Sequence, residues 1–269
     1  MSQELEQQVQ QAIAGNRQAL EAVLVGVSDY VYNLSLKMLL FPADAQDATQ
    51  EILVRIMTHL CTFKGQSQFT TWVYRVATNY LITARGKLAK EFAMDFDAYA
   101  QFIDSGQSDQ VLTTANAGEL RLLEEEVKVS CTQGLLLCLD PTHRMAYILG
   151  DLLELSSKEG AEVLQVTPAA FRQQLARARN KVRHFMEAKC GLVTASNPCR
   201  CHKKIDFLAK QQLIDAGQLK FAHLKQRSLD LLDAITHLER VTALYRTNPD
   251  LKAPESIAHS IKSLLNYAE

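Results

Sequence analysis

An all-helical fold is what this sequence predicts, and three observations carry the prediction. Only six prolines and eleven glycines punctuate 269 residues, which favours long helices over many short strands. Apolar residues recur at helical spacing, at Ile52, Ile56 and Leu60 and again at Phe171, Leu175, Ala178 and Val182. Helix-boundary residues sit between such runs, with Pro42 and Asp44 before one and Thr167 and Pro168 before the other.

Residues 1–90 read as successive helices. Gly15 and Asn16 break the first, and Pro42 with Asp44 separates the second from the third. The third carries the Ile52, Ile56, Leu60 stripe, with Thr49, Gln50 and Glu51 on its opposite side. A fourth runs from Phe69 to about Lys87 and holds Trp72, Val73, Val76, Tyr80 and Leu81. Over 91–125 the pattern loosens, and Asp95, Asp97, Asp104, Asp109, Glu119, Glu124 and Glu125 make the stretch acidic. It reads as a linker with helix at each end and an exposed turn at Ser105 to Ser108. Helical patterning resumes over 126–189. After a hinge at 190–204, turning at Asn197 and Pro198, a helical extension occupies 205–269. There Leu224, Ser228, Leu231, Ile235, Leu238, Thr242 and Tyr245 step alternately by four and three. Asn248 and Pro249 close that helix, and Pro254 opens a last one through Ile257, Ile261, Leu264 and Leu265.

Composition excludes several function classes. A net charge of −1 gives the chain no overall cationic field toward nucleic acid, so any DNA affinity rests on local patches or a partner. No apolar run approaches the roughly 18–20 residues that span a bilayer, and the start lacks a secretory pattern. A cytoplasmic protein without membrane insertion is expected. Nor is an enzyme: there is no glycine-rich phosphate loop and no Ser/His/Asp or paired-carboxylate spacing.

The segment from Leu155 to Phe185 is the most informative. Leu155, Ala161 and Leu164 form one short apolar face, with Ser157 and Gly160 supplying only half a cap. Gln165 and Val166 make a tight connection, Thr167 is a good N-cap and Pro168 suits the first helical position. From Pro168 to Lys189 six Lys/Arg stand against one acid, Glu187, a local +5 in a chain of charge −1. Two helices joined by a short turn, the second basic and rich in Arg and Gln, match the geometry that reads a major groove.

Two segments resemble a known family. DAQDATQEILVRIMTHLCTFKGQSQFTTWVYRVATNYLITARGK is similar to the second conserved region of sigma factors, with Asp47, Gln50, Glu51, Phe63, Phe69, Trp72, Tyr74, Arg75, Ala77 and Asn79 in order. LDPTHRMAYILGDLLELSSKEGAEVLQVTPAAFRQQLARARNKVR is similar to the fourth region. Together they cover most of residues 8–188 and point to the extracytoplasmic-function group of the sigma-70 family. The chain departs from the family pattern at Gln165, where glycine is usual, at Gly160, where an aliphatic residue is usual, and at Thr83, where aspartate is common.

The resemblance implies two small helical domains, a second-region bundle at 1–90 and a fourth-region helix-turn-helix domain at 126–189. It implies a factor that binds core RNA polymerase, through its largest and second-largest subunits, and directs it to promoter DNA. By resemblance, Asp47, Gln50, Glu51 and Arg55 would dock on the polymerase clamp helices. Lys64, Trp72, Arg75, Asn79 and Arg85 would meet the melted −10 element, where aromatic and Arg side chains suit single strands. Thr167, Arg172, Gln173, Arg177, Arg179 and Arg183 would meet the −35 element. Phe69 and most of Trp72 are expected in the core all the same. The linker would thread toward the polymerase active centre or RNA exit path, or serve as a solvated tether. An anti-sigma factor is a further candidate partner. The competing class is a dimeric helix-turn-helix regulator that binds its operator without polymerase, against which stand the near-zero net charge and the Trp72 helix.

Cys190, Cys199, Cys201 and His202 form the remaining cluster. Three readings stand: inert thiols, a zinc site, or a reversible disulfide from Cys190 to Cys199 or Cys201. Adjacent Cys201 and His202 share one tetrahedral ion only with strain. The extension beyond is expected to bury its apolar faces and thereby modulate activity, or to complete a fold or a dimer.

Overall fold

The computed structural model describes residues 3–83, 94–106, 108, 117–215, 217, 219 and 240–266. Among these the chain is all-α, with no β-strand beyond one isolated bridge between Cys190 and Cys199. The helices are α1 (Gln3–Ile13), α2 (Arg17–Leu39), α3 (Pro42–His59) and α4 (Phe69–Leu81) in the first region. They continue as α5 (Phe96–Asp104), α6 (Ala117–Leu137), α7 (Pro141–Tyr147), α8 (Ser157–Leu164) and α9 (Pro168–Lys189). The last are α10 (Ile205–Lys210), α11 (Arg240–Arg246) and α12 (Glu255–Asn266). Arg85 and the seam positions Leu224 to Leu238 lie outside the described residues. No described helix is long and apolar enough to cross a membrane.

The anticipated breaks occur for local reasons. Gly15 takes φ +92, and Asn16 then caps α2 by accepting from the Ala19 N–H at 3.0 Å. α2 is the central helix, and from Val31 to Leu39 every residue is buried. It packs against α1, α3, α4, α6, α7 and α12, so one apolar core runs through both family-like regions and the extension. Its end is held by Arg144 of α7, whose guanidinium donates to the carbonyls of Met38 (2.6 Å), Leu136 (2.8 Å), Leu137 and Leu139 (both 2.9 Å). These carbonyls lie at or just beyond helix C-termini, where the regular i to i+4 ladder runs out, and a forked donor can reach them together.

The acidic segment is less of a tether than its composition suggests. Asp95 caps α5 by accepting from the Ala98 N–H (2.7 Å), and α5 buries Tyr99 and Ile103. Tyr99 packs on Phe185 of α9 with ring centroids 5.6 Å apart and donates to the Cys131 carbonyl at 2.7 Å. Acidic side chains mark a solvated face, whereas Phe96, Tyr99, Phe102 and Ile103 supply an apolar one.

Candidate nucleic-acid and polymerase interfaces

In α3, the buried stripe of Ala45, Ala48, Ile52, Leu53 and Ile56 turns Asp47, Glu51 and Arg55 outward, where all three are exposed. These steps of four place them on one ridge. Gln50 lies beside them but is half-buried, because its amide donates to Ser260 Oγ of α12 at 3.0 Å. Arg55 stands 5.0 Å over the Tyr80 ring, a cation–π contact that ties α3 to α4.

The loop between these helices exposes Lys64, and Gly65 takes φ +68 to turn it. Phe63, Phe69 and Trp72 form one aromatic cluster, with Phe69 and Trp72 stacked at 5.6 Å. Phe69 is fully buried and Trp72 only 3% exposed. Of the proposed −10 contacts, Lys64 and Asn79 are exposed and Arg75 half-buried. Trp72 lies in the core, as expected for most of its side chain, and the correction falls on the −10 contact the resemblance implies for it, since its indole offers no face to a base where it stands. The physical reason is its stacking on Phe69, together with the packing of α4 against α8.

The helix-turn-helix is α8 and α9. Its first helix is better capped than the sequence reading allowed, because the cap is Ser156. Ser156 Oγ accepts from the Glu159 N–H, and Glu159 accepts in return from the Ser156 N–H at 2.9 Å. Those bonds hold the Glu159 carboxyl below its ordinary range, so the cap's contribution is present at neutral pH and fades as acid protonates it. Ser156→Ala is expected to cost about 1 kcal/mol in urea unfolding. Gln165 adopts the left-handed conformation (φ 55), which explains why glycine is usual there. Gly160 packs under Phe171, whose ring atoms would stand 2.3 Å from an added Cβ.

Thr167 accepts from the Ala170 N–H (3.2 Å) and Pro168 opens α9. Phe171, Ala178, Val182 and Met186 are buried, leaving Arg172, Gln173, Arg177 and Lys181 exposed. Arg183 is half-exposed and donates to Asn180 at 3.0 Å. Arg179 departs from this set, since it forks onto the buried Asp151 carboxylate at 2.5 and 3.0 Å and fastens α9 to the turn after α7. Lys189 pairs with Asp104 of α5 at 2.5 Å.

At the hinge, Cys190, Cys199 and Cys201 line one apolar cavity, and a thiol the sequence reading passed over, Cys131 of α6, joins them. His202 is not among the residues lining that cavity, and its ring lies 3.5 Å from the Glu124 carboxylate. Among the described residues no three His, Cys, Asp or Glu side chains converge closely enough to share an ion. Burial pushes the Cys131 thiol up to about 12 and raises those of Cys190, Cys199 and Cys201, which opposes the thiolate that metal binding or nucleophilic attack requires.

Comparison with known proteins decides the family. Residues 27–91 match Sigma-70 region 2, and residues 131–182 match Sigma-70, region 4, in that order. The chain belongs to the sigma-70 family. Its relatives place it in the extracytoplasmic-function group. It is 27% identical over 191 residues to the ECF RNA polymerase sigma-E factor of Escherichia coli, covering 68% of this chain and 95% of that one. It is 24% identical over 196 residues to the ECF RNA polymerase sigma factor SigW of Bacillus subtilis, covering 68% and 97%. Against the RNA polymerase sigma-H factor of Pseudomonas aeruginosa it is 26% identical over 186 residues, covering 68% and 94%. The alignments therefore take in nearly the whole of each of these relatives and leave about a third of this sigma factor unmatched.

Proposed function

We propose that this sigma factor binds core RNA polymerase and directs promoter-specific initiation in the cytoplasm, with α9 on the −35 element and the Lys64 to Asn79 surface on the −10 element. The carrying observation is the exposed Arg172, Gln173, Arg177, Lys181 face of a capped helix-turn-helix, set behind a region 2 bundle in one chain. The α3 ridge of Asp47, Gln50, Glu51 and Arg55 is the surface we assign to the clamp helices of the largest subunit, with the second-largest subunit completing the contact. An anti-sigma factor would compete for these same faces. Arg85 remains part of the −10 proposal, while Trp72 supports that surface from beneath. Arg179 takes a positioning role through Asp151, and zinc at the hinge thiols stays a proposal without His202.

Reconstituted transcription tests the reading. The purified protein with core polymerase should initiate at a promoter that the protein alone does not hold at physiological salt. Tight operator binding by the isolated chain would favour the dimeric regulator and overturn the proposal. Arg172→Ala or Gln173→Ala should alter preference among −35 sequences by about 1–3 kcal/mol, the worth of one bidentate base contact. Lys181→Ala and Arg183→Ala should weaken all promoters alike through lost phosphate contacts. Identical behaviour of the two classes across a promoter panel would refute this division of roles.

A further inference from the structure

The chain beyond the two matched sigma-70 regions ends in a fastening. α11 lies on the fourth-region side, burying Val241, Leu244 and Tyr245, with Tyr245 edge-on to Tyr147 at 5.6 Å. Arg246 donates to the Asp151 carbonyl and pairs with Glu154, each at 2.7 Å. The chain then crosses to α2 in extended form. Asn33 bonds Leu251 twice, accepting from its N–H at 2.7 Å and donating to its carbonyl at 2.6 Å. Lys37, its side chain 9% exposed, pairs with Asp250 at 2.7 Å, and Asp29 accepts from the Ala253 N–H at 2.8 Å. Finally α12 buries Ile257, Ile261 and Leu265 against α2 and α3, while Ser256 and Ser260 take bonds from Gln46 and Gln50.

We propose that residues 240–266 are an intramolecular clasp that holds the sigma factor closed, by covering part of the α3 polymerase-binding face and tying the region 2 bundle to the region 4 domain. This rests on the reading of α3 given above. Two contacts conflict with initiation. A polymerase helix docking on the α3 ridge needs the Gln50 amide that Ser260 holds. Promoter reading also requires α4 and α9 to meet separate stretches of DNA, whereas α4 is packed on α8, the partner helix of α9. The polar character of the clasp suits release. Asn33, Lys37 and Asp29 bond the crossing strand through side chains, and water can replace such bonds when the strand lifts. The closed and open forms are then two states whose balance sets the apparent affinity for polymerase, because only the open fraction is competent.

Two full-length variants test the clasp without touching the α3 ridge or α9. Ile257→Asp with Ile261→Asp removes the apolar anchor of α12. Asp250→Lys alters an exposed side chain and sets a like charge against the buried Lys37. Each is measured for affinity to core polymerase and for amide exchange along α3 and α12. The expected result is faster exchange over both helices and about tenfold tighter binding to core, the effect of a tenfold larger open population. Asp250→Lys should act in the same direction even if the double variant folds poorly. Released α12 with unchanged core affinity would overturn the clasp, as would an α12 that stays docked in both variants. Failure of the wild type and variants alike to bind core would instead overturn the reading of α3, and the clasp with it.

Discussion

Replacing Arg144 by alanine should lower the unfolding free energy by about 3 kcal/mol, because buried carbonyls on two helices lose a charged donor together. The side chain bonds Met38 at the end of α2 and Leu136, Leu137 and Leu139 at the end of α6. Burial lowers the Arg144 pKa to about 10, so holding a charge there is costly, and the surrounding carbonyls offset part of that cost by accepting its N–H groups. Arg144→Lys should recover only part of the loss, since an ammonium keeps the charge but not the fork that spans separate carbonyls. Urea unfolding of both variants checks this. Equal stability of the Ala and wild-type proteins would show that the carbonyls find other donors. Because Met38 belongs to the region 2 bundle and Arg144 to the region 4 domain, the alanine variant should also speed amide exchange at the α2 terminus.

Phe171→Ala should cost about 4 kcal/mol and remove −35-dependent initiation, since it empties the space between α8 and α9. Phe171 is fully buried against Gly160, and its Cζ lies 2.3 Å from the position of a Cβ on that glycine. Gly160→Ala should therefore cost about 1–3 kcal/mol through overpacking. In a Phe171→Leu background the same alanine should cost distinctly less, because a smaller side chain vacates that volume. A double-mutant cycle read by thermal unfolding tests the coupling, and strict additivity would mean that the two sites do not share space. This pair explains one departure from the family pattern: the residue under a phenylalanine must be small.

The local signals were legible where backbone chemistry alone decides structure. Asn16, Pro42, Thr167 and Pro168 act within one turn of themselves, and each boundary falls where those residues placed it. The apolar face of α9 was likewise readable from spacing. At α8 the sequence points to Ser157 as a partial cap, whereas Ser156 with Glu159 closes the box one residue earlier, because either serine can start a helix by local chemistry alone. Arg179 and Lys189 looked like free basic side chains in sequence. Their acids, Asp151 and Asp104, lie 28 and 85 residues away, and only folding brings them together.

By itself, then, the sequence determined the all-helical class, the two family regions, the helix-turn-helix with its Thr167-capped second helix, and the basic face of α9. These depend on periods of three to four residues and on side chains meeting their own backbone. Tertiary structure alone decided that Arg179 forks onto Asp151, that Cys131 and not His202 lines the hinge cavity with the other thiols, and that Gln50 is held by Ser260. It also decided that the extension crosses from region 4 to region 2. Each of these depends on which distant surfaces bury one another, and apolar burial is non-directional, so a helix's stripe shows that it packs without showing on what.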